Sequence, residues 1–222
     1  MKALGLGNRV IAVNDELVGL PLVAAIRRAR PDLIVASSGT DPLDLERARG
    51  ATGAAVYVEP SSTVDEVVQA IGEIGLITGR PIAARHVTAA ITRKQRQVAA
   101  SVAESKVVRP FVDLGDFSTI STRSLLGDLI EQARGRSVAG NSPEQGPFPL
   151  ARLLRLDPDV YLATAGSGRT LRQLRAHAQA RRLRAVRAGR FAVLPADATI
   201  AGTRIGEALA AVARLLHPDA AG

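Results

Sequence analysis

The chain has 222 residues, which is enough for one large domain or for two small ones with separate hydrophobic cores. Hydrophobic residues make up 46% and charged residues 23%, a balance that excludes a wholly disordered chain. Cysteine is absent, which excludes disulfides, thiolate metal sites and a cysteine nucleophile. No apolar run reaches the roughly 18 residues of a membrane span, and residues 1–9 contain no apolar stretch long enough for a signal peptide.

The formal net charge of +8 raises the question of a nucleic-acid partner. Most of the basic residues are arginines spread over many segments. The densest stretch, 169–190, has no interleaved aromatic residues on which bases could stack. We therefore interpret it as a solvated basic helix face and expect no nucleic-acid partner.

Short apolar strands alternate with amphipathic helices through the first part of the chain. The pattern predicts strands over 10–13, 33–36 and 54–58, and helices over 22–29, 41–52 and from 61–66 onward. Pro31 ends the first helix, because proline disfavours helical φ and ψ angles in the residue before it. Such an alternation indicates a parallel sheet with helices on both faces.

A long segment without helix breakers follows. After Pro81 neither proline nor glycine occurs until Pro110, so the pattern predicts one helix over 80–105. Its roughly 26 residues would span about 39 Å. A stiff connection of this length predicts two lobes held at a nearly fixed angle, with a cleft between them and little hinge motion.

The last part of the chain repeats the alternation of strands and helices. Strands are predicted over 107–114, 137–139, 160–163 and 191–194, and helices over 122–134, 150–156, 170–180 and 203–216. The predicted fold class is therefore α/β, with two Rossmann-like lobes joined by one long backbone helix.

An internal repeat supports two similar lobes. Residues 9–40 align with 136–167 at a constant offset of 127 without gaps, and identical pairs include Arg28/Arg155 and Pro31/Pro158. The same offset places the counterparts of 107–114 and most of 122–134 before Met1. We therefore expect the first lobe to lack its opening strand and most of its opening helix, either because the chain starts upstream or because it is a truncated relative. The predicted domains are 1–79, the connecting helix 80–106, and 107–222.

Six motifs in order resemble one protein family. They are LGLGNRVIAV at 4–13, RPDLIVAS at 30–37, IGEIGLITGR at 71–80, DPDV at 157–160, AVRAGRFAVL at 185–194 and LLHP at 215–218. Together they resemble the ABC-importer solute-binding proteins for iron-siderophores, haem and vitamin B12, over nearly all of 4–218. The resemblance implies a non-enzymatic protein that captures a small-molecule ligand between two lobes and delivers it to a membrane permease.

The sequence departs from this family where permease docking is concerned. Family members usually carry one glutamate in each lobe that pairs with permease arginines, whereas Ala24 and Ala151 stand at these positions here. Glu16 and Glu144, in the preceding loops, are candidates to replace them.

Aromatic residues that could contact a corrinoid or haem are also few, since Tyr57, Tyr161, Phe111 and Phe191 are expected in the core.

Candidate ligand-binding residues lie in the loops after the strands, because ligands of open α/β folds bind at the carboxyl ends of the strands. The set comprises Asn14, Ser37, Ser38, Thr40, Asp116, Phe117, Thr119, Gln145, Ser167, Arg169 and Arg204. Phe117 is the best aromatic candidate. Arg169, which follows a Gly-Ser-Gly turn, and Arg204, near the start of the last helix, suit carboxylate or catecholate groups.

No cofactor or metal site is predicted. His86, His177 and His217 lie far apart in sequence, and neither a nucleophile elbow nor a phosphate-binding loop occurs. An enzyme on the same lobes would need a convergent acid–base or metal cluster, which the sequence does not offer.

Two functions remain. The first is an extracytoplasmic solute-binding protein, periplasmic or at the cell surface if an upstream signal or lipid anchor exists, which delivers an iron-chelate or corrinoid-type ligand to an ABC importer. The alternative is a cytoplasmic ligand-binding or regulatory relative that no longer docks a permease, which Ala24 and Ala151 favour.

Overall fold

The structure is a computed structural model that describes residues 2–6, 22–140 and 147–220. The chain forms two compact units, one of residues 1–61 with 65–88 and the other of residues 62–64 with 89–222. Among the described residues, no helix combines the length and the apolar character that a membrane crossing requires.

The first unit is a small α/β unit. Its elements are α1 (Leu22–Ala29), β1 (Leu33–Ser37), α2 (Pro42–Thr52), β2 (Ala55–Glu59) and most of α3 (Val64–Ile77). The two strands pair in parallel, with Leu33 opposite Ala55 and Ser37 opposite Glu59. Both strands therefore end at the same edge of the sheet, as the alternating pattern predicts.

One long helix, α4 (Pro81–Val102), belongs to both units, with residues 81–88 in the first and 89–102 in the second. Proline at its first position costs no hydrogen bond, because the first amides of a helix lack partners within the helix. The helix ends four residues before the predicted boundary at 106, in a turn where the Ser105 amide donates to the Val102 carbonyl at 3.0 Å. The predicted cleft between the lobes and the domain boundaries at 79 and 106 stay predictions.

The second unit is a larger α/β unit with a three-stranded parallel sheet in the order β3–β4–β5. Its further elements are β3 (Pro110–Asp113), α5 (Leu125–Gln132), α6 (Leu150–Leu156), β4 (Val160–Thr164), α7 (Leu171–Ala176), α8 (Arg184–Arg187), β5 (Phe191–Leu194) and α9 (Ile205–Leu216). The α/β fold class with parallel sheets is thus confirmed.

An aromatic row crosses one face of this sheet. Phe111, Tyr161 and Phe191 are directly opposite one another on the three strands. The rings of Phe111 and Tyr161 are 5.4 Å apart, and those of Tyr161 and Phe191 are 6.2 Å apart. Phe111 and Tyr161 are completely buried, which confirms the prediction that these strand aromatics belong to the core.

The internal repeat is visible in the backbone as well as in the sequence. The offset of 127 places β1, Leu33–Ser37, onto β4, Val160–Thr164, residue for residue. It also pairs Arg30 with Asp157, and both adopt a left-handed conformation, with φ angles of 45° and 43°. The same helix–turn–strand unit is therefore built twice.

One predicted element of the second unit is wrong, and one predicted helix ends earlier than expected. Residues 137–139 form a turn rather than a strand, although the Val138 amide still donates to the Pro110 carbonyl at the edge of β3. The predicted helix 170–180 ends at Ala176, because His177 becomes extended and its Nδ1 accepts the amides of Gln179 and Ala180. The predicted strand 10–13 lies outside the described residues.

Two further predicted elements are shorter than the sequence suggests. Strand 107–114 is reduced to Pro110–Asp113. Helix 122–134 begins only at Leu125, where the Ser124 hydroxyl accepts the amide of Gly127 and caps the helix.

Candidate ligand-binding site

A buried carboxylate lies at the carboxyl end of β3. Asp113 is completely buried, and its oxygens accept four hydrogen bonds. The donors are the Tyr161 hydroxyl at 2.7 Å, Arg169 Nε at 2.9 Å, and the amides of Gly115 at 2.9 Å and Phe117 at 3.1 Å. A buried charge is tolerated only with such partners, so Asp113 fixes both the loop that follows it and Arg169.

The loop after β3 has a strained backbone. Gly115, Asp116 and Phe117 have φ angles of 130°, 48° and 60°. Two successive side-chain-bearing residues in this region cost free energy, on the order of 1–2 kcal/mol each. The loop is held by Asp113 and by a bond from the Phe148 amide to the Phe117 carbonyl at 2.9 Å. Strain that its surroundings hold in place is typical of binding sites.

Phe117 and Arg169 lie against each other at this edge. The guanidinium carbon of Arg169 is 4.8 Å from the centre of the Phe117 ring, a cation–π contact. The ring of His177 meets the Phe117 ring edge-on at 5.4 Å. Phe117 is only half-buried, so part of an aromatic ring remains accessible beside a positive charge.

Arg169 is placed by the turn after β4. The Ser167 hydroxyl donates to the Thr164 carbonyl at 2.7 Å and accepts the Arg169 amide at 3.2 Å, while Gly168 supplies a φ angle of 61°. The sequence predicts that Arg169 binds an anionic group of the ligand. In the structure Asp113 competes for this role, because its carboxylate already pairs with Arg169 Nε. Its Nη2 is 3.8 Å from the exposed carboxylate of Asp116.

Thr119 lies just beyond the strained loop and is buried. Its hydroxyl makes no hydrogen bond within the described part of the chain. A buried hydroxyl without a partner is costly. Asp116, Phe117, Thr119, Ser167 and Arg169 are thus gathered on two adjacent loops, those that follow β3 and β4.

The predicted residues of the first unit form a separate group. Ser37, Ser38 and Thr40 lie at the end of β1, where the hydroxyls of Ser37 and Thr40 are 3.3 Å apart. Glu59 ends β2 opposite Ser37, and burial raises the pKa of its carboxyl group. These residues line the carboxyl edge of the first sheet, as the sequence predicts.

The remaining predicted residues divide into three cases. Arg204 is exposed and pairs with Asp197 at 2.7 Å. Asn14 and Gln145 lie outside the described residues, as do Glu16 and Glu144. Ala24 on α1 and Ala151 on α6 are both exposed.

Sequence reasoning missed the residues that organise the site. Asp113 was not a candidate, although a single acid at the end of the apolar strand Pro110–Asp113 is a usable signal. Tyr161 was assigned to the core alone and His177 to a surface helix. Their contacts with Asp113 and Phe117 depend on the neighbouring strand and on the turn after α7.

Both tyrosines hold their protons more tightly than usual. Burial, helped by the hydrogen bond to Glu73 at 2.6 Å, raises the pKa of Tyr57 to about 12. The same bond lowers the pKa of Glu73. Burial and the bond to Asp113 raise the pKa of Tyr161 as well. The two hydroxyls therefore stay neutral donors throughout the physiological range.

These shifts give a testable pH dependence. A tyrosine whose pKa is raised in the folded state contributes stability that is complete below the unfolded value of 10.0 and is lost as the pH rises toward the folded value. The chain has two tyrosines and no tryptophan, so tyrosinate absorbance reports them cleanly. We expect little tyrosinate at a pH of about 11 in the folded protein, and loss of the component near pH 12 in Tyr57→Phe. A component that titrates at the ordinary value would contradict the raised pKa of at least one of the two tyrosines.

The protein has two α/β units with parallel sheets, and one long helix belongs to both. This architecture is that of the solute-binding proteins in which a long helix connects the two lobes. A family model described as periplasmic binding protein matches residues 21–198. The chain therefore belongs to the periplasmic binding protein family.

The similar proteins agree with this membership. A cobalamin-binding protein of Halobacterium salinarum is 26% identical over 152 residues, which is 66% of this chain and 41% of that protein. The chain thus spans less than half the length of this curated relative. Its fold resembles the periplasmic vitamin B12 binding protein of Vibrio cholerae, with a TM-score of 0.82, 20% identity, and coverage of 98% of this chain and 91% of the other.

A second solved structure is almost as similar. It is a periplasmic heme binding protein from Pseudomonas aeruginosa, with a TM-score of 0.79 and 20% identity, covering 98% of this chain and 88% of the other. At such identities the likeness shows the fold alone.

Proposed function

We propose that the chain is an extracytoplasmic solute-binding protein that captures a corrinoid, haem or ferric chelate without covalent chemistry and delivers it to an ABC importer. The single observation that carries the proposal is the strained loop after β3, which presents the half-buried ring of Phe117 on the guanidinium of Arg169. Flat conjugated ligands stack on such a ring, and their acidic groups are attracted to the adjacent cation.

The relatives support this choice of ligand. The curated relative is named for cobalamin, and the two solved structures are named for vitamin B12 and heme. All three names denote large, conjugated ring systems. The ligand class is therefore proposed from the chemistry of the site together with these names.

The proposal is tested by removing the ring. We expect Phe117→Ala to weaken binding of the cognate ligand at least about fivefold, because a buried aromatic contact contributes more than about 1 kcal/mol. Leu76→Ala, an aliphatic truncation at a residue of the first unit that is 70% exposed, is the control and should leave the affinity unchanged. The measurement is the ligand-induced rise in melting temperature with cyanocobalamin, haemin and a ferric siderophore. Equal affinities of both variants and the wild type would refute the role of this loop.

A second function is favoured by one observation. Ala24 and Ala151 are exposed at positions that the repeat relates. The charged residues near them on the same helices are arginines and not acids: Arg27 and Arg28 on α1, and Arg152 and Arg155 on α6. This arrangement suits a cytoplasmic relative that binds a ligand without docking a permease. Ligand binding without any stimulation of uptake by membranes carrying the cognate importer would support this second function.

A further inference from the structure

The net charge of the protein is concentrated in one segment. Between Pro147 and Arg190 lie ten of the 29 basic residues but only two of the 21 acidic ones, Asp157 and Asp159. This segment therefore carries a charge equal to the entire net charge of +8, and the rest of the chain is neutral. Arginines occur along the whole sequence, but few of the acidic residues that would balance them lie in this segment.

The elements of this segment form one layer on the second sheet. Helices α6, α7 and α8 and the 3-10 turn Ala180–Arg182 pack against one another. Their inward residues, among them Leu153, Leu174 and Val186, join the core cluster around Phe111 and Tyr161. The arginines of these elements are exposed, so they lie on the surface of this layer and not in its core.

We call this surface the basic face and define it by Arg155, Arg172, Arg175, Arg181, Arg182 and Arg187. All six are exposed. Within the described ranges none of them forms an ion pair, whereas Arg184 pairs with Asp157 and Asp159 and Arg169 pairs with Asp113. The six charges are therefore available to an external anion.

The basic face offers charge without apolar anchors. The large hydrophobic residues that are exposed among the described residues all lie outside 147–190. Stable protein interfaces rely on buried aromatic or aliphatic anchors, and single-stranded nucleic acids stack on exposed aromatic rings. A surface of phosphate headgroups needs neither, because arginine forms paired hydrogen bonds with phosphate oxygens and the attraction accumulates over many charges.

We propose that the basic face binds the headgroups of an anionic phospholipid surface, independently of ligand capture. Each arginine near such a surface contributes about 1 kcal/mol, which is roughly fivefold in partitioning. Because the interaction is electrostatic, salt weakens it as the Debye length shortens.

The test is sedimentation of the full chain with vesicles. We expect binding to phosphatidylcholine vesicles that contain phosphatidylglycerol, none to pure phosphatidylcholine, and a loss of binding between about 0.05 M and about 0.5 M salt. Replacing Arg172, Arg175, Arg181 and Arg187 together by Gln should weaken partitioning at least about tenfold. The matched control replaces four exposed arginines elsewhere, Arg49, Arg85, Arg93 and Arg96, and should change it less than about threefold.

Three results would overturn the proposal. The first is equal binding of the protein to neutral and anionic vesicles. The second is an equal loss of vesicle partitioning in the two fourfold variants. The third is binding of the protein to duplex DNA without binding to vesicles. The salt dependence of the unmodified protein keeps the test decisive if a variant fails to fold. Ligand-induced stabilisation should persist in the Arg→Gln variant, so a failure of this proposal is distinguishable from a failure of the proposed transport function.

Discussion

We expect Asp113→Ala to lower the free energy of unfolding of the second unit by about 3–5 kcal/mol. Removing one partner of a buried ion pair leaves the charge of the other uncompensated. Arg169 Nε, the Tyr161 hydroxyl and two loop amides all lose their acceptor. The strained conformation of Asp116 and Phe117 loses its support at the same time. Urea unfolding followed by circular dichroism measures the change.

Matched variants separate the buried network from ordinary ion pairing. Asp197→Ala breaks the pair with Arg204, whose side chain is 72% exposed, and should cost less than about 1 kcal/mol. Tyr161→Phe should cost about 1–3 kcal/mol, since it removes one hydrogen bond and leaves the ring in place. Adding Arg169→Leu to Asp113→Ala should recover part of the loss. A cost for Asp113→Ala as small as that for Asp197→Ala would show that Asp113 does not organise the loop.

Gly75→Ala in α3 should destabilise the first unit by about 1–3 kcal/mol, because overpacking forces neighbours apart. A Cβ atom at Gly75 would lie 2.3 Å from the Cβ atom of Ala84 on α4, far inside contact distance. The same turn contains a bond from the Arg80 amide to the Gly75 carbonyl at 2.6 Å and a left-handed Gly79. Thermal unfolding of the purified protein measures the effect.

Gly72→Ala, one turn earlier in the same helix, is the control with the opposite sign. A Cβ atom at Gly72 would meet nothing within 4 Å. Alanine is favoured over glycine in a helix interior by about 0.8–1.0 kcal/mol, so this variant should be more stable than the wild type. If both variants shift the melting temperature in the same direction, α3 and α4 do not approach each other closely at Gly75.

Local patterns in the sequence predicted most elements because each helix and strand follows from hydrophobic spacing and from a capping residue or proline. The bounds of α1, α6 and β5 agree with the predicted ones, and the offset of 127 correctly relates β1 to β4. Errors arose where a distant contact or a specific side-chain cap decides the local structure. Residues 137–139 turn beside β3, and His177 ends α7 with its own ring nitrogen.

The candidate site could be predicted only in part, for the same reason. Phe117, Ser167 and Arg169 were found because they follow strands, and ligands bind where parallel strands end. Asp113 was missed because its role depends on Tyr161 from the neighbouring strand and Arg169 from the next loop, which are 48 and 56 positions away. The excess of arginine over acid in 147–190 is visible in the sequence, whereas the exposure of those arginines on packed helices is not.

Equilibrium dialysis against cyanocobalamin, haemin and a ferric siderophore tests the proposed binding function most directly. We expect one of these ligands to be retained at about one molecule per chain at low micromolar concentration, where a specific site is largely occupied. Retention of none of them, at concentrations far above a micromolar dissociation constant, would contradict the proposal that this protein captures a corrinoid, haem or ferric chelate.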